Sequence, residues 1–465
     1  MMYIPRHTEV LVVGGGNAAL CAAIAARVQG ADVLVLEHAD PDMRGGNTRH
    51  TRNLRVAHHG PVATLSGSYT EEEFWDDLLR VTEGHTDETL ARQMISASEE
   101  LLGWLQARGV YFQPALSGTI GLDRTNAFFL GGGKALLNAL YRRAESVGVR
   151  IHYGCEVSGL QLDNHRAVAA SVFCGESQVT VRAGAVVVAS GGFQANTEWM
   201  QEAWGEAARN FIVRGTPFNR GTVLRNLLQQ GAAAVGEPTQ CHAIAVDARA
   251  PSFDGGIVTR LDCICFSLVV NREGRRFYDE GEDLWPKRYA IWGRLIAEQP
   301  GQLAWAVFDT RVRDNFMPSV FPGVSAASLQ ELAAAIGVET ARLEATVDEY
   351  NRAVRPGSYD PGTLDDCRTE GLSPPKSHWA LPLDTPPYCA YPLRPGITFT
   401  YLGLKVDENA AVLFDDGSAS PNTFAAGEVM AGNVLGQGYC AGTGMTIGGV
   451  FGRIAGVNAA RSATG

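Results

Sequence analysis

Residues able to hold a phosphate stand near the start of the chain. In HTEVLVVGGGNAALCAAIAARVQGADVLVLEH an apolar run at 10–13 leads into Gly14-Gly15-Gly16-Asn17-Ala18-Ala19, and a helix-prone stretch follows. A second apolar run at 33–36 ends on Glu37. Each residue type has a physical task. Gly14 permits the tight turn, Gly16 lets a pyrophosphate approach the backbone, and Ala19 lets helix pack closely on strand. The helix N-terminus faces the phosphates, and Glu37 can accept hydrogen bonds from ribose hydroxyls. The unit predicts strand, turn, helix and strand around a dinucleotide. A glycine-rich turn without a ligand would leave the place of the acid unexplained.

Further elements must complete such a site. A loop rich in Gly, Asn and Arg follows Glu37, and helical periodicity runs through EEEFWDDLLRVT and LARQMISASEELLGWLQARGV. A second glycine triplet at 131–133 precedes another helix and strand. Short strands with turns at DNH and CGES fill 156–189 and stop at Gly191-Gly192. Glycine loops at strand ends this far apart in sequence suggest one nucleotide site built from distant segments. Composition shifts near 235–238. The stretch from 240 to 395 holds most of the prolines and two helical patterns, at 329–335 and 340–353. Strand character then resumes, and a final helix closes the chain. The expected fold is α/β: a discontinuous Rossmann-like domain from residues 1–236 and 399–465, with an inserted α+β capping domain at 237–398.

At 465 residues the chain exceeds one core and implies two domains. A formal net charge of −11 argues against nucleic acid as a partner. The nine cysteines include no CxxC pair. Cys263 and Cys265, at alternate positions of LDCICFSLVV read as a strand, are expected to be buried thiols and not metal ligands. A reducing compartment without disulfides is therefore predicted. Residues 10–26 carry no charge, yet three glycines and Asn17 argue against a membrane span. The expected protein is soluble and cytoplasmic.

GGGNAA with Glu37, Gly45-Gly46-Asn47-Thr48, Ala189-Ser190-Gly191-Gly192 and Ala426-Gly427-Glu428 occur in an order that resembles the fumarate reductase/succinate dehydrogenase flavoprotein family. The resemblance implies FAD. It assigns cofactor contacts to Gly14, Gly16, Asn17, Ala18, Glu37, Gly45, Gly46, Asn47, Thr48, Gly132, Gly133, Val157, Ala189, Ser190, Gly191 and Gly192. Gly427 and Glu428 would meet the ribityl chain. Gly442, Thr443, Gly444 and Met445 would face the flavin pyrimidine at the start of the last helix, whose positive end favours anionic reduced flavin. Asn47 stands where succinate dehydrogenases carry a flavin-linked histidine, which implies noncovalent FAD. Gly131-Gly132-Gly133-Lys134 lacks a downstream acid, so no nicotinamide site is expected. The implied electron acceptor is a separate membrane-bound iron–sulfur protein, which would dock the chain at the inner face of the membrane.

RGGNTRHTRNLR, RTNAFFLGGGKALLNA, RFYDEGEDLWPKRYAIWGRL, RPGITFTYLGLK and GEVMAGNVLGQGY are similar to strings in family members that oxidise tricarballylate to cis-aconitate. Such a reaction needs a base for a weakly acidic α-proton, a hydride acceptor, and cations that hold the carboxylates. The resemblance places Arg313, in a motif of the form FDxxVR, as the catalytic proton-transfer residue, although an arginine pKa above about 12 makes it a poor base. Glu280 after Arg276-Phe277 is the implied relay, with Lys287 and Arg288 the nearest basic residues. His242 is the implied carboxylate ligand. Two departures stand out: Phe399 replaces a second substrate histidine, and Tyr439 lies near the place of a substrate arginine. Other cations must then serve a larger anion. Arg49, Arg52, Arg55, Arg124 and Lys134 are available, with Arg124 and Arg52 foremost, and Tyr401 and Tyr439 complete the expected substrate contacts. The alternatives are a dicarboxylate or 3-ketosteroid enzyme of the same family, or a flavoprotein of cobalamin synthesis. The arginines weigh against an apolar steroid.

Overall fold

The computed structural model describes residues 4–115, 122–317 and 319–464. The apolar run of β1 (His7–Val13) is covered on both faces, as a parallel strand between helices must be. α1 (Asn17–Val28) leads to β2 (Val33–Leu36), parallel to β1 with Val10 opposite Val33. α2 (Gly132–Ser146) then delivers β3 (Arg150–His152), parallel to β2. β4 (Cys155–Asp163), β5 (Arg166–Cys174) and β6 (Ser177–Val188) form an antiparallel meander. The end of β6 returns to pair with β1, Val12 opposite Val187.

A second sheet is antiparallel at its centre. It contains β7 (Cys241–Asp247), β8 (Leu268–Asn271) and β9 (Ala304–Phe308), followed by α3 (Leu329–Ile336) and α4 (Thr340–Ala353). β10 (Tyr388–Thr400) runs between β7 and β9, giving the order β7-β10-β9-β8. The period of two along a strand divides its core. Val269 packs with Trp292 and Phe308 on one face, and Val270 packs with Leu332 and Tyr350 on the other.

The chain then re-enters the first sheet. β11 (Ala411–Leu413) and β12 (Ala419–Ala425) complete it in the order β11-β12-β6-β1-β2-β3, and α5 (Thr443–Thr464) packs on α1. Close approach explains the glycines of α5. A Cβ at Gly452 or Gly456 would collide with the carbonyl oxygens of Ala18 and Ala22. Among the described residues no helix is long and apolar enough to cross a membrane.

Two cysteine expectations are corrected. Cys155 and Cys174 form a disulfide, because the β4–β5 register sets them opposite each other with Cα atoms 4.3 Å apart. Sequence spacing alone does not show a cross-strand pair. Cys263 and Cys265 are buried, but they lie in the turn around Ile264–Phe266, before β8 begins.

Candidate active site

A long cavity opens at the C-terminal ends of β1, β2 and β6, where parallel sheets of this kind bind ligands. Its floor is the first glycine turn. Gly14 has φ +108°, and a Cβ there would strike the carbonyl of Ala189. A Cβ at Gly15 would strike Glu37 and the Tyr141 hydroxyl. The buried Glu37 carboxylate accepts N–H bonds from Ala39 at 2.9 Å and Gly45 at 3.4 Å. Burial nevertheless raises its proton affinity above the ordinary carboxyl value. Asn17 ties three segments together: its N–H donates to Thr48 Oγ1 at 3.0 Å, and its amide donates to the Met445 carbonyl at 3.1 Å.

A second part of the lining is built around Glu428. Its carboxylate accepts the Thr400 N–H at 3.0 Å, and Asn219 and Gln194 approach at 3.5 Å. Burial pushes this carboxyl up to about 7, against the hydrogen bonds that pull it down. The start of α5 is held by Thr446, whose hydroxyl donates to the Arg55 carbonyl at 2.6 Å. Ser190 Oγ and Thr398 Oγ1 line the cavity, are buried, and have no partner among the described residues. A glycine cradle, two buried acids and unspent hydroxyls lining one cavity fit a flavin dinucleotide.

The third part of the cavity is cationic. Arg52 leaves the turn Gly46–His50, Arg214 follows the short strand Ile212–Val213, and Arg260 is bridged to Val246 of β7. Arg260 pairs with Asp262 at 2.6 Å, and Asp262 also accepts the Trp285 indole N–H at 2.7 Å. Burial opposes charge on both, but their mutual attraction holds Arg260 high and Asp262 low. Arg52 and Arg214 have no carboxylate partner among the described residues. Burial and the charge of Arg260 push both down to about 10. His242 lies among these groups, its ring 3.9 Å from that of Tyr439 and 5.5 Å from Tyr289. Burial and then Arg214 and Arg260 hold it well below the ordinary histidine value, so it is neutral.

Most of the expected contacts meet here. Gly14, Gly16, Asn17, Ala18, Glu37, Gly45, Gly46, Asn47, Thr48, Val157, Ala189, Ser190, Gly191, Gly427, Glu428, Gly442, Gly444 and Met445 all line the cavity, as do Arg52, His242 and Tyr439. Others do not. Arg313 is exposed after β9 and reaches Cys389 Sγ at 3.4 Å. Cys389 precedes Phe399 by ten residues of β10, roughly 30 Å at about 3.3 Å per residue. Glu280 is buried against Arg276 at 2.5 Å and the Val269 N–H at 2.8 Å, outside the cavity. Arg288 pairs with Glu282, and the Lys287 side chain lies outside the described residues.

Arg124 is half-exposed and is held by Glu73 of the Glu71–Thr82 helix and by the Ser68 carbonyl. Tyr401 is buried beneath the last glycine loop, its hydroxyl donating to the Gly438 carbonyl. Gly132 and Gly133 support the Thr48–Thr51 turn, since a Cβ at Gly133 would strike the Thr48 carbonyl. Gly192 makes room for Glu428 and Thr400, and Thr443 is buried within the helix start. Arg49 pairs with Asp254, Arg55 with Asp77, and Lys134 is exposed. Sequence reasoning missed Arg214, Arg260, Tyr289 and His50, which have no motif spacing; only the meeting of the two sheets brings them together.

Comparison with known proteins agrees with this geometry. The FAD binding domain family matches residues 9–447. The NADH:fumarate oxidoreductase of Klebsiella pneumoniae is 27% identical over 99% of this chain and 48% of its own length, so the chain spans about half of that relative. The open conformation of a flavocytochrome c3 fumarate reductase superposes with TM-score 0.78 at 24% identity, covering 99% of this chain and 79% of the other. The 3-ketosteroid-Δ4-(5α)-dehydrogenase of Rhodococcus jostii RHA1, solved with 4-androstene-3,17-dione, gives 0.74 at 23%, covering 98% of both chains. With the glycine cradle, Glu37 and Glu428 lining one cavity, the chain belongs to the FAD binding domain family.

Proposed function

We propose that the protein dehydrogenates a tricarboxylate, taking tricarballylate to cis-aconitate. One observation carries this reading: Arg52, Arg214 and Arg260 line one end of the cavity, and among the described residues only Arg260 of the three is ion-paired, with Asp262. Buried cations without partners are costly unless an anion joins them, and guanidinium groups bind carboxylates in bidentate pairs. Bound FAD supplies the hydride acceptor. The protein's own groups hold the carboxylates, exclude water and manage the proton.

The flavin is noncovalent in this reading. Asn47 spends its amide on the Thr398 carbonyl at 2.5 Å and on the Thr216 N–H at 3.0 Å, and offers no tether. Residues 1–236 and 399–465 hold FAD, and 237–398 cap it, with His242 and Phe399 brought to the cavity on paired strands β7 and β10. Electrons leave through a separate membrane-bound iron–sulfur protein at the cytoplasmic face. Anaerobic mixing tests the substrate: tricarballylate should bleach the oxidised flavin faster than succinate or citrate. A flavin left oxidised by tricarballylate overturns the reading.

A second reading has an observation of its own. The Tyr439 hydroxyl accepts the Gly444 N–H at 3.1 Å, and Tyr289 and Phe399 add aromatic surface, an arrangement that could grip a ketone. Bleaching by 4-androstene-3,17-dione and not by tricarballylate would favour it. The buried arginines weigh the other way.

A further inference from the structure

We infer that the imidazole of His242, and not a guanidinium, receives the α-proton when the carbon–carbon bond is oxidised. The inference rests on the polycarboxylate reading of the same site. A proton acceptor needs a lone pair that is free at neutral pH and faces the cavity. Asp262 fixes Arg260 as a cation at 2.6 Å. Arg52 and Arg214, pushed down to about 10, still keep their protons at neutral pH. Burial pushes the phenols of Tyr289 and Tyr439 up, so they keep theirs. Glu37 already accepts N–H bonds from Ala39 and Gly45, and Glu428 accepts one from Thr400, so both carboxylates are spent within the protein. His50 faces Asp254, and His38 lies 3.8 Å from Glu156.

His242 differs from all of these. Its Nε2 is buried, has no hydrogen-bond partner among the described residues, and belongs to a ring that lines the cavity. Stacking on Tyr439 within 9° of parallel and the edge contact with Tyr289 fix the plane of that ring. The groups facing it are Arg214, Arg260 with Asp262, Tyr289 and Tyr439, with Arg52 at the same end of the cavity. Burial first, and then the charges of Arg214 and Arg260, keep a proton off the imidazole. A bound trianion cancels that charge, so the ligand itself makes the imidazole a better base. In the step, the C–H bond α to a carboxylate breaks and its proton bonds to Nε2. The electron pair left behind forms the C=C bond. Bound FAD would supply the acceptor for the hydride, with its two electrons, that the neighbouring carbon gives up.

The test uses the holoenzyme and two variants, His242→Gln and His242→Asn, each first checked for full FAD content. Anaerobic flavin reduction by saturating tricarballylate is followed from about pH 5 to about pH 9. The wild type should slow on the acid side as one group protonates. The variants should be at least about 100-fold slower and lack that acid limb. A second readout needs no turnover: calorimetry of tricarballylate binding to protein with flavin already reduced, in buffers of different ionisation enthalpy. The wild type should take up protons near pH 6, an unperturbed histidine's range, and the variants should not. Wild-type flavin left oxidised sinks the substrate reading and this inference with it. A bleaching wild type beside variants that bleach equally fast, acid limb intact, sinks the inference alone. So do variants that lose only affinity, since His242 would then be a carboxylate ligand.

Discussion

The imidazole of His242 lies flat against the phenol of Tyr439, with ring centres 3.9 Å apart and planes 9° from parallel. One residue comes from β7 of the second sheet, the other from the glycine loop that opens α5. Phe399, opposite His242 on β10, stands 6.3 Å from the same phenol. Phe399 and Tyr439 thus form a single aromatic wall beside His242. Such ring pairs contribute about 0.5–1.5 kcal/mol each beyond burial. The wall joins the second sheet to the floor of the cavity and leaves the polar work to His242 and the arginines.

The glycine turn should tolerate no side chain. Gly14→Ala would place a Cβ against the Ala189 carbonyl in a backbone conformation that glycine alone adopts easily. Strain of about 1–3 kcal/mol is expected, with FAD content near zero after purification. Flavin absorbance and thermal melts check both.

That turn was legible in the sequence because its signal is local: strand, turn, helix and acid lie within forty residues and each obeys its own short-range rule. The meander at 155–188 was legible for the same reason, its turns marked by Asn164-His165 and Gly175. Register was not. Cys155 and Cys174 meet only because the hairpin pairs them, and Arg313 sits at the wrong end of β9 although its motif matches in sequence. The substrate end was least legible. Arg52, Arg214 and Arg260 come from three separate segments, and no spacing announces a cluster that only tertiary packing assembles. Arg124 looked better placed by its neighbours, yet Glu73 and Ser68 hold it outside.

Glu428 predicts a pH dependence of the apoprotein. Its carboxyl is pushed up to about 7 by burial, whereas in an unfolded chain it titrates near 4.5. The folded state therefore binds the proton more tightly, and stability contributed by protonation is lost as pH rises through that window. The loss is on the order of a few kcal/mol by pH 7. Urea midpoints measured across the range should fall with rising pH in the apoprotein. Glu428→Gln should remove most of that slope; an unchanged slope would place its origin elsewhere.

Arg313→Ala should leave flavin reduction within about threefold of wild type, the range of a surface change away from the chemistry. The side chain is exposed and reaches Cys389, at the far end of β10 from Phe399. Stopped-flow bleaching by tricarballylate decides it. A loss of several orders of magnitude would mean that the second sheet swings to bring Arg313 over the flavin.

Arg214→Met should separate stability from function. Arg214 is 6% exposed, its Nε has no partner, and no carboxylate compensates it among the described residues. Keeping that cation buried costs the ligand-free fold on the order of 1–3 kcal/mol. The penalty is full at neutral pH and lifts only as pH climbs past about 10, where the folded state first releases the proton. Methionine fills similar volume without charge, so the ligand-free variant should melt higher than wild type. Tricarballylate should then bind at least about 100-fold more weakly, the 3 kcal/mol scale of a lost charged hydrogen-bond pair. Melting curves and flavin-bleaching titrations run on the same preparations distinguish the outcomes. A variant that melts lower would show that Arg214 is held by a partner within the protein, and the cavity would lose one of the cations that bind the anion.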